Sequence, residues 1–461
     1  MQAKPSRANH SVSNIRGAVE ILIYYTLLVI LWGAWVRISH SGDGCGDSWP
    51  LCDGQFIPQA PQKKTLVELS HRLMSGAFGI YVLILFFWTR RYFRISSNRV
   101  TELDLGKARR WATASLILTV TEALLGAKLV LFGLVGTNDS PFRLFAMGLH
   151  FVNSALLVGS ILCWYLALDP NIQEVKNRKS IWSAVHFPGM NYLLAFGLLL
   201  LGVSGTVAAL STTLFPSSSL SQGLAQDFQD QSHFLLRWRL LHPMLGLLIS
   251  SGAAGFFFLY AKAVPENARL HRWRSYRLSF LFALAGLIGL LTLFLLSPYP
   301  LKILHLAVAH GLWIGVVSWI FGSFYEPREH DSKGPVLYFD GVCHLCHGAV
   351  VMLLRWDVRN IFRYAPLQGE WAAKNLAEED TKALSSLVIQ WNEESFRKSK
   401  AVLFAISQGP FELRLLSQFG RLIPKMISDR VYDWIAKNRY LWFGQLDSCQ
   451  LPEPKNPLFL K

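Results

Sequence analysis

Eight long apolar stretches within the first 324 residues constrain this chain more than any other feature of its sequence. A helix that crosses the hydrocarbon core of a bilayer needs about 20 apolar residues, and each stretch meets that length. Hydrophobic residues make up 52% of the 461 residues and charged residues only 16%, whereas a soluble domain carries about 25% charged residues. We therefore predict an all-α membrane protein with spans at 18–38, 66–88, 111–134, 145–168, 190–211, 240–262, 278–297 and 301–324.

The loops between the stretches predict the orientation of the chain. The loops after the second and the sixth stretch are rich in Lys and Arg, whereas the loop at 40–65 holds two lysines against three aspartates. Basic loops stay in the cytoplasm, so both termini, including an N-terminal tail at 1–17, are predicted to be cytoplasmic in the inner membrane of a bacterium. The net charge of +15 then reflects topology and contact with membrane lipid, and no nucleic-acid partner is expected.

The residues after the last span predict a separate soluble domain. A short linker is expected at 325–334 and an α/β domain at 335–461. Alternation and apolar runs predict strands at 336–340, 386–391 and 401–405, and a helix at 344–356.

Four histidines stand near the starts of the even-numbered spans, which places them at one depth near the outer leaflet. Their order predicts two repeated four-helix bundles, at 18–168 and 190–324, with one histidine pair in each. Facing imidazoles in a helix bundle can take both axial positions on a haem iron. A single histidine at a span end would more often be an interfacial anchor, but four in a repeated order favour ligation. The four are His71, His150, His242 and His305.

Charged residues near the same face are candidates for helping roles. Arg37, Arg72 and Arg239 could pair with haem propionates, although arginines at span ends also snorkel to the headgroups without any ligand. Glu68 lies three residues before His71 on the same helix face. Beside a redox cofactor its carboxylate can move a proton, and the alternative is a solvated residue at a helix start.

Two cysteines, Cys45 and Cys52, lie in the first outer loop with six residues between them. They can meet across a Trp-Pro turn, and an oxidising compartment would join them as a disulfide. Two unrelated loop thiols are the alternative. Two further intramembrane charges, Glu122 and Lys128, receive no role from the sequence.

Residues 18–324 resemble the haem A synthases. The resemblance rests on Gly33-Ala34-Trp35-Val36-Arg37, the Cys-(x)6-Cys loop, Glu-x-x-His-Arg in span 2, Arg-x-x-His-Pro in span 6, and the histidines of spans 4 and 8. It implies that haem O is converted to haem A by oxidation of a porphyrin methyl to formyl, for cytochrome oxidase biogenesis. It also implies haem O synthase and an electron acceptor as partners. A di-haem electron-transfer or haem-carrier protein without porphyrin chemistry is the alternative.

The same resemblance implies roles for the site residues. His71 and His150 would hold the substrate haem O with Glu68 assisting, and His242 and His305 would hold a haem b cofactor. Cys45 and Cys52 match a pair found in one branch of the family. The chain departs from the family where Glu122 replaces an expected glutamine, and this change is predicted not to touch the ligands.

Residues 335–452 resemble the DCC-type thiol-disulfide oxidoreductases through Asp340-Gly-Val-Cys343-His-Leu-Cys346. The resemblance implies a thioredoxin-like fold. A strand-to-helix turn would put Cys343 at a helix N-terminus, where the dipole stabilises a thiolate nucleophile, with Cys346 as the resolving thiol. Half of a zinc site is the alternative, because His344 and His347 lie beside the two cysteines.

Overall fold

The computed structural model divides the chain into two compact units. The membrane unit comprises Met1–Ala263 and Arg274–Glu326, and the C-terminal unit comprises Val264–Trp273 and Pro327–Lys461. Most of the predicted linker at 325–334 lies outside the described residues. The structure describes residues 7–96, 105–169, 172–174, 188–264, 269–322, 325–327, 334–357, 361–377, 387–391, 394–409, 411–448 and 458–460.

Long helices account for nearly all of the described residues before 323. Eight helical segments are long and apolar enough to cross a membrane, which confirms the eight predicted spans and a multi-pass membrane protein. The helices are α1 (Arg7–Ile38), α2 (Lys63–Ser96), α3 (Leu105–Leu131), α4 (Pro141–Ala167), α5 (Pro188–Leu214), α6 (Leu220–Asp227), α7 (Phe234–Arg239), α8 (Leu241–Ala263), α9 (Arg269–Phe294) and α10 (Tyr299–Gly322), with short strands β1 (Ile172–Glu174) and β2 (Tyr325–Pro327).

The sixth span is built from two helices instead of one. The short α7 ends at Arg239 and α8 begins at Leu241, so Leu240 marks a break near the N-terminal end of the span. Pro243 follows in the first turn of α8. Proline has no N–H to donate to the preceding turn, which is a sufficient reason for the helix to restart there.

The fourth helix forms the centre of the membrane unit. Most side chains of α4 after Gly148 are buried, which is typical of a helix surrounded by other helices. The indole of Trp313 on α10 donates to the carbonyl of Ala155 at 2.7 Å, and Gly159 leaves room for the same ring. This contact joins the first four spans to the last four.

The C-terminal unit is an α/β domain with a small mixed sheet, as predicted. The sheet order is β4-β3-β5-β6; β3 pairs in parallel with β4, and the other pairs are antiparallel. This βαβ followed by ββα is the arrangement expected of a thioredoxin-like domain. The strands are β3 (Val336–Phe339), β4 (Arg363–Pro366), β5 (Val388–Trp391) and β6 (Glu394–Arg397), and the helices are α11 (His344–Trp356), α12 (Glu370–Asn375), α13 (Lys398–Ser407), α14 (Phe411–Leu422) and α15 (Lys425–Phe443).

The predicted strand at 401–405 is wrong, because these residues lie within the helix α13. Ala401 and Ala405, four residues apart, are buried against the sheet, and the ring of Phe404 stacks on Phe396 of β6 at 4.6 Å. A short apolar run does not distinguish a buried strand from one turn of a buried helix. Here the packing of Ala401, Phe404 and Ala405 against the sheet stabilises the helix.

Candidate functional site

Each of the four predicted histidines packs its ring against a glycine on the preceding span. A Cβ atom placed on Gly33 would lie 2.9 Å from the ring of His71, and the corresponding distances are 3.9 Å for Gly126 and His150, 3.1 Å for Gly205 and His242, and 3.1 Å for Gly289 and His305. At three of the four contacts a methyl group would be too close for ordinary van der Waals packing. The glycines therefore fix where each imidazole can lie, and the arrangement recurs in both halves.

The histidines of the second half face one another across a short gap. The ring centroids of His242 and His305 are 6.1 Å apart and the ring planes are inclined by 74°. An imidazole nitrogen sits about 2 Å from a bound transition metal, so two rings on opposite sides of one metal place their centroids roughly 6 Å apart. The observed separation therefore fits a bis-imidazole haem iron. In the first half, His71 and His150 lie close enough to interact electrostatically.

The outer ring nitrogens of these histidines differ in their partners. Nδ1 of His242 lies 3.1 Å from both the Ser204 hydroxyl and the Leu201 carbonyl, which fixes that ring. Nδ1 of His71 and of His305 is buried without a hydrogen-bond partner among the described residues. Among these three rings, Nδ1 is therefore held by hydrogen bonds within the described residues only in His242.

Glu122 lies beside His150, and the prediction that it does not touch the ligands is wrong. Its carboxylate accepts hydrogen bonds from Ser154 and, at 2.6 Å, from Asn153, and one oxygen lies 3.5 Å from Nδ1 of His150. A carboxylate next to a ligating imidazole orients the ring and raises its basicity. Sequence reasoning missed this role because the contact depends on the packing of α3 against α4. The only signal was an unexplained intramembrane charge.

Glu68 is buried, with only 4% of its surface exposed, which excludes a solvated residue at a helix start. One carboxylate oxygen pairs with Arg72 at 2.5 Å, and the other accepts the backbone N–H of Cys45 at 2.9 Å. Arg72 also donates to the carbonyls of Ser48 and Leu51 at 2.6 and 2.5 Å. The pair thus attaches the loop between α1 and α2 to the helix that carries His71.

The cysteines of this loop are joined. Cys45 and Cys52 form a disulfide with a Cα–Cα distance of 4.4 Å, and both are fully buried. Gly44 lies so close to α2 that a Cβ atom there would fall 2.5 Å from the backbone of Lys64. The disulfide loop is therefore held against the start of α2 by both packing and hydrogen bonds.

The three candidate propionate arginines have different surroundings. Arg72 is occupied by Glu68 and the outer loop, and Arg239 pairs with Asp227 at 2.6 Å and donates to the Gly223 carbonyl at 2.8 Å. Arg37 has a buried Nε without a hydrogen-bond partner among the described residues. Of the three, Arg37 is the one that the protein leaves most available to an anionic ligand.

In the C-terminal unit, Cys343 caps the N-terminus of α11 and its sulfur accepts the backbone N–H of Cys346 at 3.4 Å. Cys343 is fully buried, whereas Cys346 is half-buried and lines a cleft together with Tyr432 and Arg439. The backbone of residues 444–446 covers Cys343, because the N–H of Leu446 donates to the carbonyl of Val342 at 2.8 Å. Direct attack by Cys343 on a disulfide requires this segment to move.

A buried carboxylate lies under the two thiols. Burial raises the pKa of Asp340, but hydrogen bonds from Tyr440, from Gln368 at 2.7 Å, and from Arg439 at 2.8 Å outweigh burial and keep its pKa below the ordinary value. Asp340 is therefore ionised at neutral pH and is paired with the guanidinium of Arg439. Apart from the presence of Asp340 in the motif, no sequence pattern predicts this network.

The two thiols differ in acidity. The hydrogen bond from the Cys346 thiol is the largest cause that lowers the pKa of Cys343, to about 6; burial opposes it, and the N–H of Cys346 and the charge of Arg439 assist it. The same thiol–thiol bond, with burial, raises the pKa of Cys346. Cys343 is therefore the more acidic of the two thiols, and its role as the nucleophile stays a prediction.

We expect alkylation of reduced Cys343 to follow a midpoint near pH 6, because a lowered pKa keeps the thiolate present at all higher pH. Cys346→Ala removes the thiol donor, so the Cys343 midpoint should move up toward the ordinary value of about 8.5. The measurement is the alkylation rate of each cysteine in the full chain from pH 5 to 10, by mass spectrometry. Equal midpoints in the two proteins would contradict the assigned hydrogen bond.

The ligand atoms that could bind a metal in this unit belong to Asp340, Cys343 and Cys346, which lie within 4.8 Å of one another. Within the described residues, His344 and His347 are not part of that group, so the predicted alternative of a zinc site with these histidines gains no support. The carboxylate of Asp340 is already occupied by its donors. The arrangement is better suited to thiol redox chemistry.

Comparison with known proteins agrees with this geometry. Residues 18–317 match the COX15-CtaA family, described as cytochrome oxidase assembly protein, and residues 337–445 match the DCC1-like thiol-disulfide oxidoreductase family. A heme A synthase of Bacillus mycoides is 26% identical over 294 residues, covering 60% of this chain and 83% of that protein. A protoheme IX farnesyltransferase of Thermus thermophilus is 33% identical over 305 residues, covering 66% of this chain.

The chain spans 47% of the length of the Thermus thermophilus relative. The family model, in contrast, covers all eight spans except the first residues of the first span and the last residues of the eighth. The four glycine-packed histidines, the buried Glu68 and the joined Cys45 and Cys52 all lie within that match. The chain therefore belongs to the COX15-CtaA family of cytochrome oxidase assembly proteins and carries a C-terminal DCC1-like thiol-disulfide oxidoreductase domain.

Proposed function

We propose that this protein is a membrane oxidoreductase that converts haem O to haem A by oxidising one porphyrin methyl group to formyl. Family membership supports haem involvement and an oxidoreductase activity. The observation that carries the proposal is the buried carboxylate of Glu68, one turn from His71 in the half assigned to the substrate. An electron conduit or haem carrier has no need of a carboxylate held there.

The first four spans would bind the substrate haem and the last four spans the cofactor haem. His71 and His150 would hold haem O, and His242 and His305 would hold haem b, which supplies one-electron redox chemistry when bound. Glu122 would orient His150 through their contact at 3.5 Å. Among the described residues, Nδ1 of His305, the counterpart of His150, has no hydrogen-bond partner, and Nδ1 of His242 meets neutral groups. This asymmetry supports a substrate role for the first half and a resident cofactor in the second.

Glu68 would accept or relay protons as the methyl is oxidised. The net change from methyl to formyl takes its oxygen from water and releases protons and electrons, so it needs both a proton acceptor and an electron acceptor. Burial and the ion pair with Arg72 place the Glu68 carboxylate in a fixed position. Its link to the N–H of Cys45 connects the disulfide loop to the same group.

The partners follow from this chemistry. Haem O must be delivered by the enzyme that makes it, a haem O synthase, and haem A passes on to cytochrome oxidase assembly. The name of the Thermus thermophilus relative, a protoheme IX farnesyltransferase, supports a connection with haem prenylation. The C-terminal unit would add cytoplasmic thiol redox chemistry through Cys343 and Cys346.

Complementation tests the proposal in cells. In a bacterium that lacks its own haem A synthase, the full chain should restore an oxidase that contains haem A. The alternative, a di-haem electron-transfer or carrier protein, predicts a haem b spectrum in the membranes without restored oxidase. That second result, with normal insertion of the chain, would reject the proposed reaction.

We also propose that both termini are cytoplasmic, on the basis of the basic loops. Two exposed lysines test this: the side chain of Lys64 in the first turn of α2, beside the disulfide loop, is 53% exposed and that of Lys425 in the C-terminal unit is 78% exposed. An amine reagent that cannot cross the membrane should label Lys64 in intact spheroplasts and Lys425 only in inverted vesicles. The reverse pattern would overturn the orientation.

A further inference from the structure

We propose that the outward face of the helix α15 in the C-terminal unit binds the surface of an anionic lipid bilayer. This is separate from the spanning helices, which cross the bilayer whatever the C-terminal unit does. The proposal rests on three features of the described residues: an exposed apolar stripe, basic residues that flank it, and a short covalent tether to the last span.

The stripe follows the helical repeat. Ile427, Val431, Trp434 and Leu441 are 49%, 52%, 60% and 83% exposed. Spacings of four, three and seven residues place them on one face of α15. Trp442 beside them is 45% exposed and contacts the ring of Trp434 at 4.7 Å. Large apolar side chains gathered on one face of a soluble domain mark an interaction surface.

The preceding helix extends the surface. Leu416, Phe419 and Leu422 of α14 are 59%, 59% and 79% exposed and recur every third residue. Ile423, between the two helices, is 48% exposed. Both α14 and α15 therefore expose apolar side chains, while Ser417 of α14 and Ala405 of α13 are buried.

The basic and the acidic residues of α15 have different surroundings. The exposed Arg430 and Lys437 lie side by side along one edge of the apolar stripe. The acidic residues are held by the domain itself: Asp429 accepts the Ser399 hydroxyl at 2.5 Å, and Asp433 pairs with Lys398 at 2.8 Å. An apolar face with tryptophan and basic flanks is the pattern of helices that lie in a membrane interface, and the basic residues attract anionic headgroups.

The covalent structure keeps a bilayer within reach. Only residues 323–333 separate the end of α10 at Gly322 from Gly334 of the C-terminal unit. A chain of that length spans at most about 40 Å. Such a tether raises the effective concentration of the lipid surface, so even a weak interfacial helix stays bound. Arg439 on the inner side of α15 contacts Asp340 under the thiols, so lipid binding would also fix the thiol site near the membrane.

The test uses the full chain in nanodiscs of phosphatidylcholine alone or mixed with phosphatidylglycerol. Hydroxyl-radical footprinting should show oxidation of Trp434 and Trp442 falling severalfold in the anionic discs. Trp391 on β5, which is 42% exposed, is the matched internal control and should not change. A photoreactive phospholipid in the same discs should crosslink to the peptide that contains Trp434.

The charge-reversal variant Arg430→Glu/Lys437→Glu sharpens the test. Each basic residue near an anionic surface contributes to binding, so the double change should weaken protection about tenfold or more. Both residues are exposed, and Trp391 reports whether the fold is kept. The protection of Trp434 and Trp442 could instead be the same in both kinds of disc and in the double variant, with no lipid crosslink. That result would mean that the face contacts protein, and it would overturn the proposal. Equal oxidation of Trp434 in all discs would also overturn it.

Discussion

His242→Ala and His305→Ala should each abolish the low-spin haem b spectrum while the protein remains inserted in the membrane. The two rings face each other with centroids 6.1 Å apart, and each is set by a glycine on the neighbouring helix. Removing one imidazole leaves an axial position that alanine cannot fill. The measurement is the reduced-minus-oxidised spectrum of purified protein, together with the haem content per chain.

Two further histidine variants serve as controls for this prediction. His310 lies on the same helix as His305 but is buried against its own backbone, with Nδ1 2.9 Å from the Leu306 carbonyl, so His310→Gln should keep the spectrum. His71→Ala should keep haem b and lose the product. An unchanged low-spin spectrum in both His242→Ala and His305→Ala would reject the ligand assignment.

Glu68→Gln should reduce formation of the formyl product about a hundredfold, because a positioned acid or base contributes at least that much to a proton-transfer step. The amide keeps an oxygen that can accept the N–H of Cys45 but loses the charge that pairs with Arg72. Haem b should be retained. The measurement is haem A per inserted chain, with the disulfide between Cys45 and Cys52 checked by thiol labelling.

Glu122→Gln is the matched control for that change. It converts a second carboxylate of the membrane unit to an amide, at a position where the family resemblance leads us to expect glutamine. The amide keeps an oxygen that can face His150 at the 3.5 Å contact distance, where no hydrogen bond is formed among the described residues, so haem A should still form. Wild-type product from Glu68→Gln would show that Glu68 is structural only, and loss of product from both variants would remove the distinction between the two carboxylates.

The sequence predicts the spans well because the bilayer imposes a length and an apolar composition that each helix must meet by itself. The same reasoning fails where neighbouring elements decide the outcome. Residues 401–405 read as a strand in isolation, yet contacts with β6 hold them as helix α13. The break at Leu240 follows from a local cause, Pro243, that the apolar pattern hides.

In the candidate site, too, local spacing predicts some features, whereas contacts between separate helices are not predicted. Equal depth and repeated order single out His71 and its three counterparts from the sequence, and the i, i+3 spacing puts Glu68 on the same helix face as His71. The ion pair of Glu68 with Arg72 is not predicted from the sequence, because Arg72 is expected to meet a haem propionate. The contact of Glu122 with His150 and the hold of Cys45 on Glu68 join residues 28 and 23 positions apart on separate elements. No local pattern encodes such contacts, because they depend on how the helices pack.

The most direct test of the proposed function is the haem composition of the full chain purified from a host that makes haem O but no haem A. Haems are extracted and separated by chromatography, and formyl-porphyrin is identified by mass. If the proposed function is correct, haem A is present in proportion to the inserted protein, together with haem b that depends on His242 and His305. Haem O and haem b without any hydroxymethyl or formyl product would contradict it and leave a haem-binding electron carrier.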